Sequence, residues 1–417
     1  MTNPSMLSFS PALSGLEILH SHRSTLESFG KKVDEKTKTL RSAEMLFAAK
    51  KADWDAIAEL SQELKANSDT VLILTEGLCE TLFKAVRAFC SPLHPEQTAG
   101  KIQILSSSMH AESLEAVAKW IVGRKISLLL AFHNTPSERL FWTFRVLLKA
   151  LSEGRHPEEV HRRVVVSTGE AASPAESWAQ RSPFRTISFP PRCASRYLFF
   201  CEPTALLLNL MDLNAWSYIE GGRSFFRQFD KKAEIEDPIL AYAALREVQL
   251  AEHHRETLVL PDESYAPFGE WWKAMTEDSR HLFAEEPNDG LVWNGRVMRE
   301  PATASRQHWV TEIAIESTHQ LEIENDQPSP PPSELGNLSS WAELEHLYKK
   351  RVDQQREGKS YAQPWIRIGL RRRDPFCIGG IFCFFESVVA ASHRLGETSD
   401  NFSLLKPHNL ATSEVPA

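Results

Sequence analysis

Glycine is scarce in this chain, with 18 of 417 residues, where average usage of roughly 7% would give about 29. Turns in which backbone comes close to a phosphate rely on glycine, so few such turns are available. The six cysteines (Cys79, Cys90, Cys193, Cys201, Cys377 and Cys383) contain no Cys-x-x-Cys pair and stand mostly in apolar surroundings. They read as reduced, buried thiols of a cytoplasmic protein rather than a disulfide frame or a metal site. No run approaches the roughly 18 apolar residues of a membrane span. The start, Met1-Thr2-Asn3-Pro4, lacks the basic and apolar regions of a signal peptide. A net charge of −8 argues against nucleic acid or an anionic membrane as the main partner. No cofactor and no metal is expected. What the chain does have is 42% apolar and 24% charged residues, enough for real cores, in a length that suits two or three domains.

The most informative stretch is Lys125-Ile126-Ser127-Leu128-Leu129-Leu130-Ala131-Phe132, followed at once by His133-Asn134-Thr135-Pro136-Ser137-Glu138. An apolar run of strand length ends in polar turn residues, and Leu140, Phe141, Phe144, Leu147, Leu148 and Leu151 then recur at helical spacing. Thr135 is the expected N-cap, with Pro136 as first helical residue and Glu138 completing a Thr-x-x-Glu capping box. A strand, a tight turn and a helix N-terminus together form a geometry that binds phosphate, since free N–H groups and the helix dipole converge there. An ordinary βα turn without ligand has the same local pattern.

The pattern repeats along the chain. Trp54, Ile57, Leu60 and Leu64 predict a helix. Strands are expected at Thr70–Leu74, Lys101–Leu105, Arg163–Thr168 and Phe184–Phe189, and helices at Thr81–Phe89 and Glu112–Val122. A helix from Thr204 to Tyr218 is expected to break at Gly221-Gly222. A second cycle follows, with helices Ile239–Glu247 and Phe268–Ser279, a strand Glu256–Pro261 and an element at His308–Ile315. After the Pro-rich linker Gln327–Ser333 come a helix Trp341–Glu357, a strand Trp365–Leu370 and an apolar helix near Ile381–Ala391. Strands alternating with helices mean an α/β fold of mostly parallel sheets covered on both faces. The expected organisation is a helical segment 1–60, two three-layer α/β/α domains at 61–225 and 226–395, and a polar tail 396–417.

In this order of elements, from about Asp69 to Asn401, the sequence resembles glucose-6-phosphate isomerases, which are built from two sugar-isomerase (SIS) domains. Asp69–Gly77 stands where that family has a strand and a Gly-Ile-Gly-Gly-Ser turn, matched only at Gly77. Ser106–Leu114 stands in for its Ser-Asn-x-Asp-Pro. Ala131–Glu138 takes the place of the Ser/Thr-rich phosphate loop, with Thr135 and Glu138 in register. Cys193-Ala194-Ser195-Arg196-Tyr197 is similar to Val-Gly-Gly-Arg-Tyr. Phe268–Ser279 resembles the helix carrying a Gln and the catalytic Glu, positions held here by Ala274 and Asp278. Gln307-His308 is similar to the His of Asp-Gln-His-Ser, and Phe384-Phe385-Glu386 with Leu395-Gly396 to the last helix. No Lys follows where the family has its catalytic one, and Lys406 is out of register.

The resemblance implies aldose–ketose isomerisation of glucose 6-phosphate and fructose 6-phosphate through an enediolate. That chemistry needs a base between C1 and C2, a cation over the enediolate, a ring-opening group and a phosphate cradle. The resemblance assigns these to Asp278, to Arg196, to His308, and to Thr135, His133, Asn134 and Ser107 respectively. It also implies a sugar phosphate as ligand and a homodimer with His308 supplied across the interface. Asp278 is one methylene shorter than Glu, the Gln and Lys are unmatched, and the turns are poor in glycine. Two readings therefore stand side by side: an isomerase with a degraded active site, and a non-catalytic sugar-phosphate-binding or scaffold protein of the SIS fold.

Overall fold

A computed structural model describes residues 7–11, 46–90, 101–133, 136–169, 174–189, 199–229, 238–251, 255–261, 263–280, 291–294, 308–315 and 365–397. Strand β1 (Leu7–Pro11) is followed by helix α1 (Lys51–Asn67), β2 (Thr70–Thr75), α2 (Gly77–Cys90), β3 (Ile102–Ser106) and α3 (Ala111–Ile121). Then come β4 (Ile126–Ala131), α4 (Glu138–Ser152), α5 (Pro157–Arg163), β5 (Val164–Thr168), α6 (Pro174–Arg181), β6 (Arg185–Ser188), α7 (Glu202–Leu210) and α8 (Ala215–Phe229). The second cycle runs α9 (Pro238–Ala251), β7 (Arg255–Val259), α10 (Ala266–Arg280), β8 (Leu291–Asn294), β9 (His308–Ile315), β10 (Trp365–Leu370) and α11 (Pro375–Glu397).

Two five-stranded sheets result, as the α/β reading expects. The first has the order β3-β2-β4-β5-β6 and is parallel throughout. The second has the order β1-β10-β9-β7-β8 and is parallel except for its edge strand β1. Strands β2 and β4 are buried at every position, because helices cover both faces of a parallel sheet. Alternation along the strands divides the residues between the two faces. Leu72, Leu74, Leu128, Leu130, Val164 and Val166 pack with Leu140, Phe144 and Leu147 of α4. Val71, Ile73, Leu129, Ala131 and Val165 face the opposite way, onto α1, α2 and α7.

That second core continues without a break into the second sheet, taking in Leu258, Trp309, Ile313, Ile366 and Ile368. The two sheets are thus joined through shared helices. Phe89, at the end of α2, meets Tyr265 and Phe268 at the start of α10 with ring centroids 5.0 and 4.5 Å apart. Arg373 donates to the carbonyls of Phe89 (2.8 Å) and Ala88 (2.9 Å), closing the C-terminus of α2 from the second unit. Helices α8 and α11 cross so closely that a Cβ on Gly221 would run into the Phe376 carbonyl oxygen, and one on Gly379 into that of Tyr218.

Three expectations are corrected here. Gly221 and Gly222 do not end a helix, because α8 runs through both. The close approach of α11 leaves no room for a side chain at Gly221, Leu46 and Phe200 crowd Gly222, and packing overrides their weak helix propensity. Within the stretch expected to be helical, Leu7–Pro11 forms the antiparallel edge of the second sheet. Its Leu-Ser-Phe-Ser alternation has the two-residue period of a strand, and Pro11 is tolerated at an edge. Leu291–Asn294, where no element is expected between Ser279 and His308, forms β8 beside β7. The expected linker Gln327–Ser333, the helix Trp341–Glu357 and Lys406 lie outside the described residues. Among the described residues no helix is long and apolar enough to cross a membrane, and no group of three or more His, Cys, Asp or Glu could hold a metal ion.

One buried polar network lies in the second sheet. Glu256 accepts from the Tyr242 hydroxyl (2.7 Å), the Thr311 hydroxyl (2.8 Å) and Arg246 Nε (3.0 Å). The Arg246 guanidinium stands 4.8 Å over the Trp272 ring. These three donors compensate the buried charge where water cannot reach it. Glu256 stands near the N-terminal end of its strand, away from the end where parallel sheets bind ligands.

Candidate functional site

The carboxyl ends of the first sheet's strands lie together at one end of that sheet, and the residues beyond them form a mouth. Thr75 ends β2 in register with Ser106 of β3 and Ala131 of β4. The residues that follow the strands line this end of the sheet: Glu76 after β2 bonds Ser107 after β3, and His133, which follows Phe132 after β4, packs against Gly169 after β5 and Phe189 after β6. Gly77 carries φ +59°, which lets the chain turn from β2 directly into α2. Ser107 N–H donates to the Thr75 carbonyl at 3.1 Å, fixing the turn after β3 against the end of β2.

The centre of this mouth is a carboxylate held by hydroxyl and amide donors. Glu76 Oε1 accepts from Ser137 N–H at 2.8 Å. Glu76 Oε2 accepts from Ser137 Oγ at 2.5 Å and from Ser107 Oγ at 3.1 Å. Ser137 Oγ also accepts from Leu140 N–H at 3.1 Å, so Ser137 is the N-cap of α4. The site thus combines the donors and the dipole of a helix N-terminus with a buried serine in the turn after the neighbouring strand. On the rim, Arg139 Nη2 donates to the carbonyls of Ser108 (3.0 Å) and Met109 (2.8 Å), tying the turn after β3 to α4.

His133 is buried, with its ring edge-on to Phe189 at 5.6 Å. A Cβ on Gly169 would strike the His133 ring, so the absence of a side chain there is what admits the imidazole. Beneath the mouth, burial pushes the Cys79 thiol up to about 12, with the nearby Glu76 charge adding to the shift and a hydrogen bond from the His133 backbone opposing it. Cys79 is a packing residue at neutral pH rather than a nucleophile.

The capping box expected on Thr135 is corrected. Helix α4 begins at Glu138 and is capped by Ser137. Pro136 is not helical, and Glu138 is the first helical residue instead of the third. Ser137 takes the role because its N–H and hydroxyl also reach Glu76 across the mouth, a long-range pairing invisible to local spacing. Sequence reasoning missed both residues of this clasp. The available signal was a carboxylate placed immediately after the apolar run Thr70–Leu74, just before Gly77.

Of the expected site residues, Ser107 and His133 stand at this mouth, just beyond β3 and β4, the strands flanking β2. Asn134, Thr135 and Arg196 lie outside the described residues. Asp278 is in the last turn of α10, and His308 opens β9; their side chains are outside the description. Helices α2 and α10 pack side by side, with the end of one against the start of the other at Phe89 and Phe268. They therefore run antiparallel, which directs the end of α10 that carries Asp278 toward the start of α2 and the mouth of the first sheet.

No family model matches the chain. Curated relatives do: the chain is 21% identical over 369 residues to glucose-6-phosphate isomerase from Bacillus cereus, covering 83% of this chain and 79% of that protein. It is 20% identical over 366 residues to the Streptococcus thermophilus enzyme of the same name, covering 82% and 79%. Among solved structures, a hypothetical protein from Thermus thermophilus superposes with a TM-score of 0.70 at 15% identity, covering 95% of this chain and 100% of that one. A glucose-6-phosphate isomerase from Chlamydia trachomatis gives a TM-score of 0.67 at 11% identity, covering 96% and 90%. The chain is thus similar to glucose-6-phosphate isomerases over about four-fifths of its length and shares the α/β fold of these solved structures.

Proposed function

We propose that this protein binds a sugar phosphate at the mouth of the first sheet and is an isomerase-like protein whose aldose–ketose turnover is far below that of its relatives. The single observation that carries the reading is the set of converging donors from Ser107 and Ser137, which already hold an oxyanion at the end of β2. Similarity to glucose-6-phosphate isomerases over most of the chain supports the same ligand class. In this reading Ser107, His133, Asn134 and Thr135 line the phosphate end. Arg196 stabilises the enediolate, Asp278 is the base and His308 assists ring opening, supplied by a partner subunit of a cytoplasmic homodimer.

Weak turnover follows from the residues themselves. Asp278 is a methylene short of the relatives' Glu, and misplacement by about 1 Å can cost roughly a hundredfold. Loss of one general acid or base costs a further factor of about 10² to 10⁴, and no Lys stands in register with the family's. A second reading, a binding or scaffold protein with no turnover, is favoured by one specific feature: Glu76 sits among the donors that a phosphate needs. Coupled isomerase assay on fructose 6-phosphate, together with calorimetric titration of glucose 6-phosphate, separates the two. Slow turnover lost in Asp278→Asn supports the first reading. Binding weakened by Arg196→Ala, with no turnover, supports the second.

A further inference from the structure

We infer that the Glu76 carboxylate is a built-in competitor for the phosphate end of this cleft, so that a phosphate-bearing ligand enters only by displacing it. The inference rests on the reading of the mouth as a sugar-phosphate cleft, and assigns Glu76 the part of a specificity determinant within it. Three donors converge there: the hydroxyls of Ser107 and Ser137 and the amide of Ser137. All three are spent on Glu76, at 3.1, 2.5 and 2.8 Å. A phosphate oxygen is recognised by this same kind of donor. A phosphate placed among them would lose those hydrogen bonds to the carboxylate and would also face its negative charge at contact distance, where the repulsion is large.

The arrangement allows displacement. Glu76 is only half-buried, Ser137 is exposed, and Ser107 is buried. The Glu76 side chain can therefore swing toward solvent while the serine donors stay fixed, Ser107 by its backbone bond to Thr75 and Ser137 by its cap on α4. The carboxylate thus holds the cradle in shape when empty and taxes every ligand that carries a phosphate, while leaving an unphosphorylated sugar untaxed.

The test is calorimetric titration of the wild type, Glu76→Gln and Glu76→Ala with glucose 6-phosphate, inorganic phosphate and glucose near neutral pH. Glucose 6-phosphate and inorganic phosphate are expected to bind both variants roughly tenfold or more tightly than the wild type, which is the effect of about one lost unfavourable charge contact. Glucose affinity is expected to stay unchanged, and adding Ser107→Ala to Glu76→Ala to cancel the gain. Glu76→Gln keeps an acceptor for the serine donors, so it decides the matter if Glu76→Ala does not fold. Sugar-phosphate binding by the wild type that neither variant tightens would overturn this inference and leave the proposed function standing. A gain of equal size for glucose would overturn it as well. Absence of glucose 6-phosphate binding in all three proteins would overturn the sugar-phosphate reading and the inference with it.

Discussion

Glu76 and Ser137 stand 61 residues apart in the chain, yet the carboxylate of one accepts both the backbone N–H (2.8 Å) and the hydroxyl (2.5 Å) of the other. This pairing joins the end of β2 to the start of α4, and Ser137 at the same time caps the helix through Leu140 N–H. Replacing Ser137 with Ala removes the cap and one arm of the clasp together. The expected cost is about 1–2 kcal/mol of stability, read as a lower urea midpoint at unchanged slope. Ser137→Asp would keep the cap but set a second carboxylate against Glu76, and is expected to be no better than Ala.

The crossing of α8 and α11 gives a larger effect. A single methyl added at Gly379 or Gly221 has a backbone carbonyl in its way, and the helices must move apart. Gly379→Ala is expected to lower stability by about 1–3 kcal/mol or more, even though alanine favours helix over glycine. Thermal unfolding of the variant against the wild type measures it. An unchanged or raised midpoint would mean that the helices do not approach this closely.

In the second sheet, Glu256 and Arg246 form a buried pair with Tyr242 and Thr311 as further donors. Arg246→Met leaves the carboxylate uncompensated and is expected to cost about 3–5 kcal/mol. The double change Arg246→Met with Glu256→Gln should cost clearly less than the sum of the single changes. A double-mutant cycle by denaturant titration reads the difference.

The buried thiols set an alkaline limit. Burial pushes Cys79 and Cys90 up to about 12, and Cys377 up to about 11. A thiol whose value is raised on folding favours the folded state while it stays protonated. That contribution is complete below the ordinary thiol value of 9.0 and is lost progressively as pH climbs from there toward about 12. Stability is therefore expected to fall above that ordinary value, and a thiol reagent at mildly alkaline pH should label Cys79 and Cys90 only in the denatured protein. Mass spectrometry of the labelled chain locates the sites. Rapid labelling of either in the native state would contradict their burial.

Much of this architecture was legible in the sequence because burial on both faces leaves an unambiguous mark. Runs such as Thr70–Leu74 and Ile126–Ala131 have no polar face, and the helices between them carry clear apolar spacings. What escaped notice depended on contacts between distant segments. Gly221 and Gly222 read as a helix break until the close passage of α11 explains the first and the packing of Leu46 and Phe200 the second, and Leu7–Pro11 becomes a strand only by pairing with β10. The site divides in the same way. Ser107 and His133 are expected only from the family resemblance, and they follow β3 and β4, whereas Glu76 and Ser137 act through each other across the mouth. Thr135 looked like the cap because local spacing cannot show that Ser137 has a second partner.

The most direct test of the account measures binding and turnover on one preparation: calorimetric titration with glucose 6-phosphate, and the coupled isomerase rate with fructose 6-phosphate. The account predicts saturable binding of the sugar phosphate, none of comparable strength for glucose, and a turnover about 10² to 10⁴ below that of a glucose-6-phosphate isomerase assayed alongside it, or none. Turnover equal to that enzyme's, or failure to bind glucose 6-phosphate at all, would contradict it.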